Sequence, residues 1–265
     1  MTLRRLLRGQ IAWPRLEAIV REVLTRYDEP VGRVEFLEAD NWLSTPMVVN
    51  DRYFVKAISE QHSLLHAILT TGRNVGAFTS GTEGFFEHFG TPLEMAEHEL
   101  EATRRMAEVG LNVPEPREAF EVDGLGVLVL EYVPAFRSFD ELDAREVRDL
   151  APDLFDALDR MHAAELAHGD LRSENVLVSN GDLYFIDATS IRDGIAEARA
   201  YDVACALGVL APLIGPRETV SLATERLGAD ALLEARTFLD FVTIRPDHDF
   251  DAAAVKGEIE KRAAD

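Results

Sequence analysis

Residues 168–187 constrain what this chain can fold into more than any other stretch. Two apolar segments, Val176–Val178 and Leu183–Ile186, are joined by the turn-forming sequence Ser-Asn-Gly-Asp, a pattern that predicts a short β-hairpin. The residue before the first strand of a hairpin and the residue after its second strand lie at the same open end. We therefore expect Asn175 and Asp187 to lie side by side.

An amide oxygen and a carboxylate at one end of a hairpin form a donor set that suits Mg²⁺. This ion prefers oxygen ligands and usually takes one or two carboxylates together with substrate phosphates. Asp170 precedes Asn175 in a loop that can face the same ion. Turn residues beside a solvated acid would explain a lone aspartate well, but they explain this ordered set poorly. Asn175 and Asp187 are therefore predicted metal ligands.

The order of these residues resembles the catalytic loop of the protein-kinase-like superfamily, H-x-D-x-x-x-x-N followed by a metal-binding D-F-G. His168, Asp170 and Asn175 match the loop position by position. Asp187-Ala188-Thr189 replaces D-F-G, so the aspartate is kept but regulation by a swinging phenylalanine is not expected. The His-Gly-Asp-Leu form is similar to the RIO kinases, the KEOPS-complex kinase, the lipopolysaccharide-core kinases and the aminoglycoside phosphotransferases.

This resemblance implies ATP and Mg²⁺ as cofactors and assigns roles to several residues. Asp170 would accept or orient the proton of the acceptor hydroxyl, and Arg172 would offset charge on the transferring phosphoryl group. Asp202, in a following apolar helix, would bind the backbone of the catalytic loop; the alternative is an ordinary acid near a helix start. Adenine would lie between the lobes, near Glu131 and Val133 of the connecting strand.

Such a fold needs a lysine on its third strand, and the residues support Lys56 independently. Lys56 is the only lysine before Lys256 in a chain that otherwise uses arginine. It lies in the middle of a predicted strand, with Phe54 and Ile58 on the same face. A compact ammonium group that binds phosphate fits this position better than a solvated lysine does.

Glu99 is the predicted partner of Lys56. Thr91-Pro92-Leu93-Glu94 is typical of a helix start, and Gly110 suits the left-handed position at the helix end. On a helical wheel of residues 93–109, Glu99 falls inside the apolar arc and the other carboxylates fall opposite it. A carboxylate on a core face needs a buried partner. The alternative is that Glu99 extends its carboxylate to solvent at the lobe boundary.

The first hairpin lacks the glycine-rich G-x-G-x-x-G sequence that covers phosphates in many kinases. Ser44, Thr45 or backbone amides near Asn41 are the candidates for that role.

The predicted fold is α+β and two-lobed, because antiparallel strand pairs with one inserted helix precede a helical half. Residues 1–30 form an N-terminal segment with a basic amphipathic helix over 3–27, whose arginines are either a solvated face or a docking site for an acidic partner. Residues 31–134 form the nucleotide-binding N-lobe and residues 135–265 the C-lobe. The insertion 59–91, where glycines alternate with phenylalanines, is either a lid or a packed extension.

The most consistent function is that of an ATP- and Mg²⁺-dependent phosphotransferase, first of all a RIO-like serine/threonine protein kinase. The short span from Asp187 to Asp202 leaves no room for a long activation segment with a peptide-docking motif. Two alternatives remain. One is a kinase for a small molecule, with a sugar, lipopolysaccharide-type or aminoglycoside-like acceptor; the other is an ATPase switch that regulates a partner.

The charge balance predicts a halophilic surface. The chain has 48 Asp plus Glu against 27 Lys plus Arg, a net charge of −21. Such a surface repels nucleic acid, except where the basic N-terminus reverses the sign. A single cysteine, Cys205, favours a reducing compartment. The longest weakly polar run, Val203 to Gly215, is too short for a membrane span, so we expect a cytoplasmic protein.

We expect the melting temperature to rise between low salt and molar KCl, because counterions screen the repulsion among the excess carboxylates. Thermal unfolding followed by circular dichroism at several KCl concentrations measures this. A melting temperature that stays flat or falls would contradict the halophilic interpretation.

Overall fold

A computed structural model describes residues 11–37, 44–60, 90–188, 195–245 and 248–264 of the chain. Two compact units divide it. Among the described residues, the first includes the N-terminal helix and a five-stranded sheet, and extends over 11–60 with Pro114–Pro134 and the part of the chain from 90 to Arg104. The second includes Arg105–Val113 and Ala135–Asp265. The sheet-containing first unit and the mainly helical second unit confirm the predicted α+β class.

The first unit is built on a five-stranded antiparallel sheet, with β1 Val34–Phe36, β2 Thr45–Val49, β3 Tyr53–Ile58, β4 Pro116–Val122 and β5 Leu125–Glu131. The strand order is β1-β2-β3-β5-β4. Tight turns at Asn50-Asp51 and Asp123-Gly124 join β2 to β3 and β4 to β5.

Helix α1, Trp13–Arg26, covers one face of this sheet. Its buried side chains Leu16, Ile19 and Val23 join a core with the sheet residues of the same face. Of the helix predicted over 3–27, the described residues form Trp13–Arg26, and residues 11 and 12 before it are not helical. Proline is favoured in a first helical turn, where its missing N–H costs no hydrogen bond, and Pro14 occupies that turn. Residues 1–10 lie outside the described ranges.

The arginines of α1 are partly engaged within the first unit. Arg26 pairs with Glu118 on β4 at 2.7 Å, and Arg15 donates to the backbone carbonyl of Asp123 at 2.6 Å. Arg21 instead pairs along the helix with Glu17 at 3.0 Å and stays exposed. The basic face of α1 therefore both solvates the helix and fastens it to the β4–β5 hairpin.

Helix α2, Pro92–Glu108, packs on the opposite face of the sheet. Its predicted capping box is present: Thr91 Oγ1 accepts from the Glu94 amide, and the Glu94 carboxylate accepts from the Thr91 amide, both at 3.1 Å. After the helix, Gly110 takes a left-handed φ of 78°. Residues 61–89, most of the predicted insertion, lie outside the described ranges.

Gly126 on β5 lets α2 approach the sheet. A Cβ at this position would collide with the carbonyl group of Pro92, in the first turn of α2. A backbone carbonyl within a helix cannot move aside as a flexible side-chain end can. Glycine at this strand position therefore determines how closely α2 packs.

The second unit contains the predicted catalytic hairpin. Strands β7, Val176–Ser179, and β8, Asp182–Phe185, pair antiparallel, and β6, Arg137–Ser138, adds a third strand beside β7. The helices are α3 Ala144–Ala163, α4 Ile195–Ile214, α5 Pro216–Arg236 with a break at Gly228, α6 Leu239–Thr243 and α7 Ala252–Ala264.

Helix α4 is the buried centre of this unit. Nearly every residue from Ala198 to Ala211 is buried, and α3, α5, α6 and α7 all contact the helix. An all-round apolar helix is stable in water only when other elements surround it. Of the helices in the described ranges, none is long and apolar enough to cross a membrane.

We expect Gly126→Ala to lower the free energy of unfolding by about 1–3 kcal/mol, because the added methyl group forces α2 away from β5. Urea denaturation measures the change. Gly257→Ala is the control: Gly257 lies within α7 with open space around it, so alanine should be neutral or stabilise the protein by up to about 1 kcal/mol. Equal effects of the two substitutions would contradict the packing role of Gly126.

Candidate active site

Lys56 and Glu99 form a nearly buried ion pair in the first unit. The Lys56 ammonium lies 2.9 Å from Oε1 and 2.8 Å from Oε2 of Glu99. Their side chains are only 7% and 14% exposed. Removing one partner of such a pair leaves an uncompensated charge in the protein interior, which is strongly destabilising. The structure thus brings together the lysine and the glutamate that the sequence singled out.

The β3 alternation and the helical period of α2 explain why these two side chains meet. Tyr53, Val55 and Ala57 face the α1 core. Phe54 and Ile58 belong to the core cluster on the α2 side, as do Ala96 and Leu100 of α2. Lys56 shares the strand parity of Phe54 and Ile58, and Glu99 lies on the same helical face as Ala96 and Leu100.

Asp202 on α4 holds the catalytic loop by its backbone. Its Oδ2 accepts from the His168 amide at 2.6 Å, and its Oδ1 accepts from the Gly169 amide at 2.8 Å. The carboxylate is fully buried. Gly169 has a left-handed φ of 76°, which glycine adopts without strain. Of the two roles open for Asp202, the structure shows loop binding.

His168 links the loop to the hairpin. Its ring is fully buried and lies 6.2 Å from the ring of Phe185 on β8. Its Nδ1 accepts from the Asp170 amide at 3.3 Å. Burial lowers the pKa of His168, and this outweighs the opposite influence of the surrounding carboxylates. The imidazole is therefore neutral at physiological pH and acts as a packed, hydrogen-bonded support for the loop.

Asn175 and Asp187 meet at the open end of the hairpin, as predicted. Val176 pairs with Phe185, and the Ile186 amide donates to the Asn175 carbonyl at 3.1 Å, so Asp187 follows directly at that end. The Asn175 side-chain amide nitrogen donates to the Asp170 carbonyl at 2.8 Å, so the side-chain oxygen is the atom that could accept a metal ion. Asp187 has a left-handed φ of 57°.

This donor set fits Mg²⁺. A neutral oxygen and a carboxylate are what this ion takes when phosphate oxygens complete its coordination. Within the described part of the chain, no cluster of three or more His, Cys, Asp or Glu side chains is placed to hold a metal.

Asp170 is a partly buried carboxylate with a cation near each oxygen. Arg172 Nε lies 3.8 Å from Oδ2, and Arg172 also pairs with Glu174 at 3.2 Å. Arg245 Nη2 lies 2.8 Å from Oδ1. Asp170 is 15% exposed and Arg245 is 8% exposed. Arg172 and Arg245 therefore compensate the negative charge of the Asp170 carboxylate.

Arg245 is the site residue that sequence reasoning missed. It lies 75 positions after Asp170, beyond the motif that the catalytic loop carries. The one available signal was an arginine directly after the apolar stretch Phe238–Ile244. Such a signal does not name a partner, because many arginines at the end of an apolar segment extend to solvent.

Comparisons with known proteins agree with this geometry. Residues 90–192 match the family model described as the RIO domain. A stretch of 110 residues is 31% identical to KEOPS complex subunit Bud32 of Pyrococcus abyssi, over 40% of this chain and 49% of that protein. A stretch of 69 residues is 39% identical to a probable bifunctional tRNA threonylcarbamoyladenosine biosynthesis protein of Methanothermobacter thermautotrophicus, over 26% of this chain and 12% of that protein.

The chain thus spans about half, or less, of the length of the curated relatives it matches. The loop that contains His168, Asp170 and Asn175 lies inside the matched RIO-domain segment. The RIO-domain match and the Bud32 relative support a place for this chain in the atypical RIO and KEOPS group of the protein-kinase-like superfamily.

Solved structures are similar at a more distant level. The Mycobacterium tuberculosis PknI kinase domain is 15% identical with a TM-score of 0.44, and the match covers 88% of this chain and 95% of that one. The Neurospora crassa PAN3 pseudokinase is 11% identical with a TM-score of 0.41, over 83% of this chain and 56% of that one. A likeness at this level carries no information about activity.

The other residues predicted to contact the nucleotide are described less completely by the structure. Ser44 is buried just before β2, and Asn41 lies outside the described ranges. The Glu131 side chain pairs with Arg117 at 2.7 Å, and its amide donates to Glu115 at 2.8 Å. Val133 is half-buried two residues after β5. Their contacts with adenine and phosphates stay predictions.

We expect Asp202→Asn to lower the free energy of unfolding by about 2 kcal/mol, because an amide replaces one of two charge-assisted acceptors with a donor that faces an N–H group. Urea denaturation gives the value, and hydrogen exchange at Gly169 reports the loop directly. Asp156→Asn, which removes an exposed pair with Arg226, is the control and should cost less than about 1 kcal/mol. A loop that exchanges no faster in Asp202→Asn would contradict this role.

Proposed function

We propose that this chain is an ATP- and Mg²⁺-dependent phosphotransferase that acts on serine or threonine of a folded protein. The observation that carries the proposal is the loop geometry: Asp202 holds the backbone while Asp170, Asn175 and Asp187 converge at the hairpin end. An atypical kinase-like or ATPase function follows from the RIO-domain match and the Bud32 relative. The acceptor and the metal dependence are the proposed part.

Each residue of the set has a distinct proposed role. Lys56, held by Glu99, would bind the α- and β-phosphates, and Asn175 with Asp187 would hold Mg²⁺. When bound, Mg-ATP supplies an activated γ-phosphoryl group. Asp170 would orient the acceptor hydroxyl and receive its proton as the new oxygen–phosphorus bond forms and ADP leaves.

Arg172 would compensate the charge of the transferring phosphoryl group. Its side chain is 23% exposed and lies beside Asp170, so it can respond to a ligand at that carboxylate. A fixed positive group aimed at developing negative charge is the main device of phosphoryl-transfer catalysis.

The short connection from Asp187 to Asp202 supports a folded protein acceptor. It leaves no long segment for phosphorylation to order, so we expect activity without prior activation. It also provides little groove for an extended peptide. The arginines of the N-terminal segment, of which Arg21 is exposed, would recruit an acidic partner.

An ATPase within a tRNA-modifying assembly is the second candidate. It is favoured by the names of two relatives, a KEOPS complex subunit and a probable tRNA threonylcarbamoyladenosine biosynthesis protein. In that case water would take the place of the acceptor hydroxyl, and the same residues would serve hydrolysis.

We expect Lys56→Met and Asp187→Ala each to lower turnover of γ-labelled ATP by at least about 100-fold, because each removes an electrostatic contact to the phosphates or their metal. Matched controls are Lys256→Met, which removes a lysine paired with Asp240, and Asp182→Ala, at the exposed turn of the same hairpin. Both controls should retain turnover. Unchanged turnover in a folded Lys56→Met or Asp187→Ala protein would refute the site.

The fate of the label then identifies the acceptor. The protein is incubated with γ-labelled ATP and Mg²⁺ in high salt, alone or with a fractionated host extract, beside an Asp170→Ala control. Label in protein bands that is lost with the control supports a protein kinase. Label confined to small molecules indicates the small-molecule kinase instead, and free phosphate alone indicates the ATPase.

A further inference from the structure

We propose that Arg245 is a positioning residue for Asp170. Its guanidinium bridges Asp170 and Tyr201 of α4, and so orients the carboxylate from a segment outside the catalytic-loop motif. The inference rests on the proposed function, because it assigns Arg245 a part in the same phosphoryl-transfer site.

The guanidinium is held at two separate points. Nη1 donates to the Tyr201 hydroxyl at 2.5 Å, and Nη2 donates to Asp170 Oδ1 at 2.8 Å. The planar fork of arginine presents its donors in fixed directions, so a bond at one nitrogen determines where the other points. Tyr201 is fully buried, which gives this bridge a rigid base.

The Arg245 contact is shorter than two other contacts of the Asp170 carboxylate. Arg245 Nη2 lies 2.8 Å from Oδ1, whereas Asn175 Nδ2 lies 3.5 Å and Arg172 Nε 3.8 Å from Oδ2. Bond strength falls steeply at such distances, so Asn175 and Arg172 restrain the carboxylate less than Arg245 does. Arg245 therefore fixes Oδ1, and with it the direction in which Oδ2 is turned.

Packing of the C-terminal segment on α4 explains how Arg245 reaches the site. The rings of Phe238 and Phe241 lie 6.0 Å and 5.7 Å from the ring of Tyr201. The Arg245 amide donates to the Val242 carbonyl at 3.1 Å, which continues the turn of α6. The same helix α4 that anchors the loop backbone through Asp202 thus anchors its side chain through Arg245.

The chain that follows Arg245 packs on Gly208, about two turns after Tyr201 along α4. A Cβ on Gly208 would lie 2.9 Å from the ring of Phe250 and 3.0 Å from that of His248. Because the helix has no side chain at this position, the residues on both sides of Arg245 contact α4. The segment that carries Arg245 is thereby positioned by α4.

A gain in stability only weakly explains why Arg245 is paired with Asp170. A buried ion pair gains little over apolar side chains of similar volume, since desolvation of both charges offsets their attraction. Asp170 is the residue whose orientation phosphoryl transfer depends on. The pair between Arg245 and Asp170 is therefore better explained by its effect on the orientation of the Asp170 carboxylate.

The test separates the turnover number from nucleotide affinity. We expect Arg245→Met to lower kcat for Mg-ATP turnover by about 100-fold while KM for ATP changes less than about twofold, because misplacing a reacting group affects the chemical step and not the phosphate contacts.

Three further variants complete the test. Arg245→Lys should recover part of kcat, since lysine keeps the positive charge without the planar guanidinium. Tyr201→Phe should lower kcat less than Arg245→Met does. Arg148→Met, at an exposed pair with Glu218, is the control and should match the wild type.

The outcomes distinguish this inference from the function it rests on. A wild-type rate no higher than that of Asp170→Asn overturns the proposed function, and the role of Arg245 with it. A rate that is lost in Asp170→Asn but kept in folded Arg245→Met overturns the inference alone. If Arg245→Met does not fold, Tyr201→Phe decides, because it removes one hydroxyl and keeps the ring: a wild-type kcat there also overturns the inference.

Discussion

The bond between the Asp202 carboxylate and two backbone amides is the interaction on which the second unit depends. It fixes His168 and Gly169, and through them the position from which Asp170 projects. A buried carboxylate that accepts two N–H bonds is well compensated, whereas either partner alone would be costly in the interior. Loss of this contact would therefore leave a buried carboxylate and two buried amides without their partners.

The first unit also contains a nearly buried charged contact, the ion pair between Lys56 and Glu99. Two opposite faces of one strand, β3, serve two separate cores, and the face toward α2 carries a charged pair within apolar surroundings. Gly126 lets the first turn of α2 lie close to the sheet. Glu99 lies one and a half to two turns further along α2, so this backbone contact also sets the position of Glu99. The carboxylate is thus positioned by backbone packing, which is harder to alter than a side-chain rotamer.

The segment that matches the RIO domain does not contain all of the candidate functional residues and their supports. The matched segment, 90–192, includes Glu99 and the catalytic loop, but Lys56 precedes it, and Tyr201, Asp202 and Arg245 follow it. The helix α4 joins residues of the matched segment to residues outside it, because it supplies one anchor for the loop backbone and one for the Asp170 side chain.

The sequence by itself determined the elements and contacts that local periodicity encodes. The two N-terminal hairpins, the capped helix α2, the place of Asn175 and Asp187 at one end of a hairpin and the pairing of Lys56 with Glu99 all follow from strand parity, helical period and turn residues. The sequence left two roles open for Asp202. Only the tertiary structure decided that Asp202 binds the loop backbone and that Arg245 reaches Asp170. Those contacts join residues far apart in the chain, and their geometry depends on how α4 and α6 pack, which no local pattern specifies.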